Sequence, residues 1–312
     1  MDEKFTAINL NKDNLIYPLF IVNGKAKTQA IRSFPGVFRY SLDRLMPELE
    51  KIDKLGLRKI LLFGIPDKKD AFAKEAYKDG NLISEAVRQI KARFPHFKII
   101  TDVCLCAYTT HGHCGIISRK GNKVVIDKKK TLDVLAKIAL SHAYAGANFV
   151  APSAMTENQV KVIRENLDKH GLKTVKILGY SAKFASNFYG PFRNACASSP
   201  AFGDRSSYQL GFDSLDKALN EISQDIKEGA DIVMVKPSLS YLDVIHEAKK
   251  RFSFPLAAYL TSGEYALVEY GARQKLWDRK KVIFEIISAL RRAGADFIIS
   301  YHAREVAEWL AD

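Results

Sequence analysis

Three stretches share one grammar: Gly146-Ala-Asn-Phe-Val-Ala, Gly229-Ala-Asp-Ile-Val-Met-Val and Gly294-Ala-Asp-Phe-Ile-Ile. In each, a glycine, an alanine and an Asp or Asn precede an apolar run. Gly56-Leu-Arg-Lys-Ile-Leu-Leu-Phe is a looser fourth copy. Each follows a segment with helical periodicity. Before Gly229, Leu215, Ala218, Leu219, Ile222 and Ile226 fall on one helical face, and Ser214 is placed to cap it. Before Gly146, Leu132, Leu135, Ile138 and Ala139 do the same. A glycine just past a helix, then a short apolar run, is the stop-and-turn pattern of a chain alternating helix and strand. Four further apolar runs, 15–22, 99–106, 175–180 and 255–260, bring the candidate strands to eight. Most are apolar throughout, as expected of strands covered on both faces. Eight such strands separated by helices predict a single (β/α)8 TIM barrel over residues 1–312, with a short N-terminal extension over about 1–13. The competing architecture, a doubly wound sheet, usually carries a glycine-rich phosphate loop after its first strand, and Val22-Asn-Gly-Lys-Ala-Lys is not one.

Charge narrows the function classes. Lys and Arg number 48 against 35 Asp and Glu, a net +13. Basicity of this size suggests nucleic acid, acidic membranes or anionic substrates. The basic runs at 128–130, 249–251 and 279–281 lack the interleaved aromatics of a single-strand binder, and no zinc-finger or helix-turn-helix spacing occurs. A solvated Lys-rich surface is the simpler reading, with no nucleic-acid partner. No apolar run approaches the roughly 20 residues of a membrane span. Met1-Asp2-Glu3-Lys4 shows no secretory signal, so the expected location is cytoplasmic.

In a barrel, chemistry gathers at the carboxyl ends of the strands. The unusual residues fall there: a Cys/His cluster after Ile100, Ser153 after Val150, Lys183 after Leu178, Lys236 after Val235, Ser262 after Tyr259 and Tyr301 after Ile299. Strand alternation would put Asp102, Cys104 and Cys106 on one face, and Gly112 would let the following loop return Cys114 to them. Three thiolates make a soft site for Zn2+ with an open fourth position, the catalytic arrangement. His111 and His113 are further candidate ligands or donors behind the ligands. The alternative is a set of buried thiols without metal. A lysine ending a buried strand, as Lys236 does, loses its charge readily and becomes a nucleophile suited to a ketone. Lys183 is a second lysine, just after the preceding predicted strand, and either could instead pack along the rim with its head in water. Arg193 and Arg205 lie in a long aromatic loop, 188–209, that has the character of a lid, and arginine there suits carboxylate capture. Cys196, in the same loop, receives no role.

Taken in order, these blocks resemble the porphobilinogen synthase (5-aminolevulinate dehydratase) family of the zinc-cysteine type. The matching blocks include Asp102-Val-Cys-Leu-Cys, His111-Gly-His-Cys-Gly, Ala151-Pro-Ser, Tyr180-Ser-Ala-Lys-Phe-Ala-Ser and Phe188-Tyr-Gly-Pro-Phe-Arg. They continue with Ser198-Ser-Pro-Ala-Phe-Gly-Asp-Arg, Gly229-Ala-Asp-Ile-Val-Met-Val-Lys-Pro and Ser262-Gly-Glu. The resemblance covers nearly the whole chain. It implies a lyase of tetrapyrrole (heme) biosynthesis that condenses two 5-aminolevulinate molecules to porphobilinogen with loss of two waters. It implies that Lys236 forms the Schiff base with the propionate-side substrate and that Lys183 serves the acetate side. Asp102 and Ser153 would stand near the acetate-side amine and ketone. Arg193, Arg205 and Gln209 would hold the acetate-side carboxylate. Ser262 and Tyr301 would contact the propionate side, and Tyr189 and Tyr259 would also line the substrate. Cys104, Cys106 and Cys114 would bind the catalytic Zn2+.

The chain departs from the family pattern at several points. Ala154 replaces an aspartate, Glu157-Asn-Gln replaces Asp-Gly-Arg, Ala107 replaces a proline, and Ser238-Leu-Ser stands where glycine and proline are usual. The family's arginine-rich N-terminal arm, which embraces a neighbouring subunit in a homo-octamer, has no counterpart before the first strand. A homo-oligomer is expected, with the octamer left open. Mg2+ is likewise left open as a second ion, at a site that Glu221 matches in some members. Two alternatives remain: a catalytically weakened paralogue that binds precursor or zinc, and a metal-free Schiff-base aldolase on the same barrel.

Overall fold

A computed structural model describes residues 10–120 and 123–311. Twelve strands are present among them: β1 (Leu15–Val22), β2 (Thr28–Ala30), β3 (Phe38–Tyr40), β4 (Lys59–Ile65), β5 (Lys98–Val103) and β6 (Ile117–Lys120). The remainder are β7 (Lys123–Ile126), β8 (Phe149–Pro152), β9 (Lys176–Lys183), β10 (Ile232–Lys236), β11 (Leu256–Tyr259) and β12 (Phe297–Ile299). Eight of them, in the order β1-β4-β5-β8-β9-β10-β11-β12, pair in parallel, and β12 returns to β1 through Leu15 opposite Ile298. The sheet closes on itself, and helices lie between successive barrel strands. This is the expected (β/α)8 barrel.

The repeated grammar operates as read. Gly56, Gly146, Gly229 and Gly294 all take positive φ, between 75° and 118°, and each is followed by a barrel strand. Ser214 caps the helix Leu215–Lys227 by accepting from the Lys217 N–H. Ala218, Leu219 and Ile222 of that helix are buried, and Leu215 and Ile226 pack partly buried against the core. Strands β1, β4 and β10 are buried almost end to end, which explains why they carry no apolar–polar alternation.

Three local expectations need correction. The run 99–106 does not continue as one strand: β5 ends at Val103, so Cys104 and Cys106 lie in the turn that follows. The run 175–180 extends to Lys183, which is therefore the last residue of β9 rather than a loop residue. The stretch 188–209 is not all loop, for it opens with the short helix Gly190–Ala195. Two hairpins also went unread. Strands β2 and β3 form one that docks β3 beside β1, and β6 and β7 form another just after Cys114. These strands are three or four residues long, too short to show a period.

Residues 1–9 of the expected N-terminal extension, with the start Met1-Asp2-Glu3-Lys4, lie outside the described residues. The described part includes a 3-10 turn, Lys12–Asn14, capped by Asn11. Each basic run has a member in an ion pair: Lys128 with Glu157, Lys249 with Asp296, and Arg279 with Glu269 and Glu305. Among the described residues no helix is long and apolar enough to cross a membrane.

Candidate active site

Strand register brings the two lysines together. Lys236 of β10 lies opposite Lys183 of β9, and both are nearly buried, 5% and 7% exposed. Between Gly179 and Ala182 strand β9 takes one residue more than β10 does between Val233 and Val235. Such a bulge resets which side chains face inward. It lets Tyr180 and Lys183, three residues apart, both approach the site: the Lys183 Nζ is 5.5 Å and the Lys236 Nζ 5.0 Å from the Tyr180 ring centroid. The Lys236 Nζ also lies 4.0 Å from the ring of Tyr259, 5.1 Å from Phe192 and 5.5 Å from Tyr189. Ring faces attract an ammonium by about 0.5–2 kcal/mol, whereas full burial shifts a lysine by several pKa units toward neutrality. Burial wins. Together with the charge of Lys183, it pushes the Lys236 amine down to about 7.

The amines have a carboxyl neighbour. Burial raises the pKa of Asp102, while a hydrogen bond with the Ser153 side chain and the charges of Lys183 and Lys236 pull it back. Ser153 also accepts a hydrogen bond from the Lys183 Nζ at its carbonyl. One residue just past β8 therefore touches both a carboxyl and an amine of the site. Tyr259 and Tyr301 share one hydroxyl hydrogen bond of 3.0 Å. Tyr189 donates its hydroxyl to the carbonyls of Phe184 and Lys236, so it presents its ring to the amine. Ser262 donates to the Phe188 carbonyl and accepts from the Phe192 N–H, which ties the start of the helix Ser262–Arg273 to the lid.

The three cysteines converge although they do not share a strand. The sulfurs of Cys104, Cys106 and Cys114 all lie within 4.8 Å of one another, with Cys104 and Cys106 at 3.5 Å, and all three are free and buried. A tetrahedral zinc with bonds of about 2.3 Å would separate its sulfurs by roughly 3.8 Å, so the trio fits a soft metal ion. Hydrogen bonds from Cys104 and Cys106 hold the Cys114 thiol well below its ordinary value, while the shared protons push Cys104 well above. Among the described residues this trio is the group of His, Cys, Asp or Glu donors that could hold a metal. His111 and His113 stand outside it. His113 makes ring hydrogen bonds to the Tyr208 hydroxyl and the Phe202 carbonyl, and its N–H donates to the His111 Nδ1.

The lid lies over this floor. Gly112, at φ 69°, lets it descend: a Cβ there would come 2.3 Å from the Ser199 carbonyl oxygen. Arg205 is 4% exposed and donates to the carbonyls of Gly112 and Ser198. Burial works to lower its pKa, but the sulfurs of Cys114 and Cys106 raise it overall. Arg193, Arg205 and Gln209 line a cavity of about 540 Å³ with Ser186 and Tyr241. Nε of both arginines and both amide atoms of Gln209 are buried without a partner. The three N–H donors among them are free to bond oxygen atoms of a ligand or of water. Cys196 is buried in the lid, and nothing in the structure gives it a role. Glu221 lies apart from the lysines, in a hollow of about 310 Å³ with Glu157, Asp225 and Glu228.

Sequence reasoning missed Tyr180, Phe192 and Tyr208. The first two face the Lys236 amine, and the third hydrogen-bonds His113 and the Cys114 N–H. Tyr180 stood within a matched block, but its face depends on a bulge that no local pattern announces.

Fold and candidate site together define a barrel enzyme whose candidate active centre joins a lysine pair to a thiol cluster able to hold a metal. The family described as delta-aminolevulinic acid dehydratase matches residues 2–309, and the chain belongs to it. It is similar to the delta-aminolevulinic acid dehydratase of Methanothermus sociabilis, at 50% identity over 96% of this chain and 92% of that protein. That of Bacillus subtilis (strain 168) is 43% identical over 100% of this chain and 95% of its own. A solved structure of the enzyme from Toxoplasma gondii ME49, in complex with the reaction product porphobilinogen, superposes with a TM-score of 0.93 at 37% identity. It covers 96% of this chain and 85% of that one.

Proposed function

We propose that this chain condenses two molecules of 5-aminolevulinate to porphobilinogen, releasing two waters, as a single catalytic barrel. The observation that carries the reading is the lysine pair, with Lys236 held near neutrality among aromatic rings. A neutral amine attacks the ketone carbon of the first substrate; the carbonyl oxygen leaves as water and an imine remains. Lys183, anchored on the Ser153 carbonyl, would engage the second substrate. Asp102, whose pKa burial raises and which lies within the field of both amines, would take up and return the protons that move when the new C–C and C–N bonds form. The unpartnered atoms of Arg193, Arg205 and Gln209 suit the acetate-side carboxylate. Ser262 and Tyr301, with Tyr259 and the Tyr189 ring, would border the propionate-side substrate.

Cys104, Cys106 and Cys114 would hold the metal, and zinc is the ion their sulfur set favours. Bound there, it supplies Lewis acidity toward the acetate-side substrate. A cytoplasmic location belongs to the same proposal, supported by four free cysteines, which suit a reducing compartment. A homo-oligomer is also part of the reading and rests on family membership.

Borohydride trapping with 5-aminolevulinate tests the mechanism. The expected adduct, located by mass spectrometry, is on Lys236. Folded protein that forms no adduct there would overturn the imine reading. An adduct without porphobilinogen in a colour assay would point instead to a binding protein descended from the enzyme, a reading that Ala154 motivates.

A further inference from the structure

The lid leaves the barrel after β9 and crosses its mouth. In the closed ring of eight strands, β1 stands diametrically opposite β9. On that far side two cations reach up to the lid backbone. Arg39, on β3 beside β1, donates from Nε to the Ala195 carbonyl and from Nη2 to the Asn194 carbonyl, each at 2.7 Å. Lys69, in the loop after β4, donates to the Ala197 carbonyl at 2.5 Å. The Asn194 side chain adds a bond of 3.1 Å to the Ser33 hydroxyl. None of these groups lines the cavity that Arg193, Arg205 and Gln209 share.

The held segment sits between the two lid arginines. Arg193 lies one residue before the Asn194 carbonyl, and the Ser198 carbonyl that Arg205 grips lies one residue after Ala197. Beneath it, Phe192 packs on Phe20 and Phe63, with ring centroids 5.7 Å and 5.0 Å apart. Phe20 is also the register partner of Arg39. The short β2–β3 hairpin, an addition to the barrel, thus carries the latch residue, and the neighbouring barrel strands β1 and β4 carry the lid's footing.

We propose that Arg39, seconded by Lys69, is a positioning residue: a far-rim latch that sets the closed position of the lid and so the placement of Arg193 and Arg205. The inference rests on the reading of those arginines as the carboxylate grip. A guanidinium holds two successive carbonyls with a rigid planar fork, whereas a lysine ammonium is a point charge on a flexible stem with no such fixed geometry. The latch bonds only the lid backbone over 194–197, so it governs capture of the substrate carboxylate, while Phe192, packed separately on Phe20 and Phe63, keeps its place against the Lys236 amine.

The test uses the full chain with Arg39→Ala, Arg39→Lys and Lys69→Met. Limited trypsin digestion of the folded protein, without substrate, reads cutting after Arg193 and Arg205. With the lid bonds partly solvent-exposed, Arg39→Ala is expected to speed cutting at those two sites about tenfold, with other sites unchanged. The KM for 5-aminolevulinate should rise about tenfold while kcat stays within about threefold. The Lys236 adduct at saturating substrate should match wild type. Arg39→Lys should recover part of both effects, and Lys69→Met should show a smaller rise. Wild-type cutting and KM in Arg39→Ala, or a fall in kcat with KM unchanged, would overturn the latch. If Arg39→Ala fails to fold, Arg39→Lys and Lys69→Met carry the same comparison. The digestion needs no turnover, so it judges the latch even if wild-type protein makes no porphobilinogen.

Discussion

The floor of the site and its lid are built on opposite principles. The floor is strand: Lys183 and Lys236 are terminal residues of neighbouring parallel strands, fixed by register and ringed by buried aromatics. The lid is a strap held by side chains on backbone carbonyls, from Arg39, Lys69, Arg205 and His113. In the floor, hydrophobic burial alters the chemistry of a group by starving it of solvent. In the lid, buried polar atoms are left unpartnered and so adapted to a ligand that must enter and leave. Rigid placement suits the proposed covalent step, and an unsatisfied, releasable wall suits the proposed capture.

The contrast can be broken most sharply at the floor. Lys236→Met is expected to lower kcat more than about a thousandfold and to abolish the borohydride adduct, because no other amine stands in its place among the rings. Its thermal midpoint should be no lower than wild type, since an apolar side chain replaces a buried amine. A lower midpoint would mean that Lys236 holds the barrel together. Next in size, Cys104→Ser should lose bound metal and lower kcat roughly a hundredfold, measured by metal content and product formation on one sample. Chelation should copy that loss, and restored zinc should reverse it.

Lid changes should be milder and different in kind. Arg205→Lys is expected to raise the KM about ten- to hundredfold, because the bidentate fork is lost while the charge stays. Gln209→Ala should raise it about tenfold. Equal losses in kcat would erase the distinction between floor and lid.

The smallest effect is on pH. Lys236 titrates at about 7 in the folded chain, against about 10.4 unfolded. The rate of adduct formation should therefore rise through pH 7 as the amine loses its proton, and Arg205→Lys should leave that midpoint in place. Between the two values the unfolded chain binds more protons than the folded one, so this group makes stability increase with pH over that window. Below about 7 its full destabilising effect is present. Lys236→Met should flatten the slope in urea titrations at pH 7 and 9.

Much of this was legible in the linear chain. The glycine-led strands announced the barrel because helix stops and fully buried strands are local signals. Lys236 and Ser153 could be set at strand ends because a barrel puts chemistry there whatever its sequence. The cysteines were legible as a cluster, but for a mistaken reason: alternation along one strand was expected, whereas β5 ends at Val103 and the turn brings the sulfurs together. The lid could be seen as long and aromatic, yet its short helix and its partners could not. Arg39 lies more than 150 residues before the carbonyls it binds, and no period or spacing encodes such a bond.

By itself, then, the sequence determined the alternation of helix and strand, the order of the chemical groups and the ends of strands at which they stand. Those properties follow from interactions within a few residues of each other. Only the tertiary structure decided that a bulge turns Tyr180 and Lys183 to the same interior, that burial near a second amine lowers the pKa of Lys236 to about 7, and that the far rim holds the lid. Closure of the barrel creates those environments, because solvent exclusion and cross-ring contacts exist only once distant segments have met.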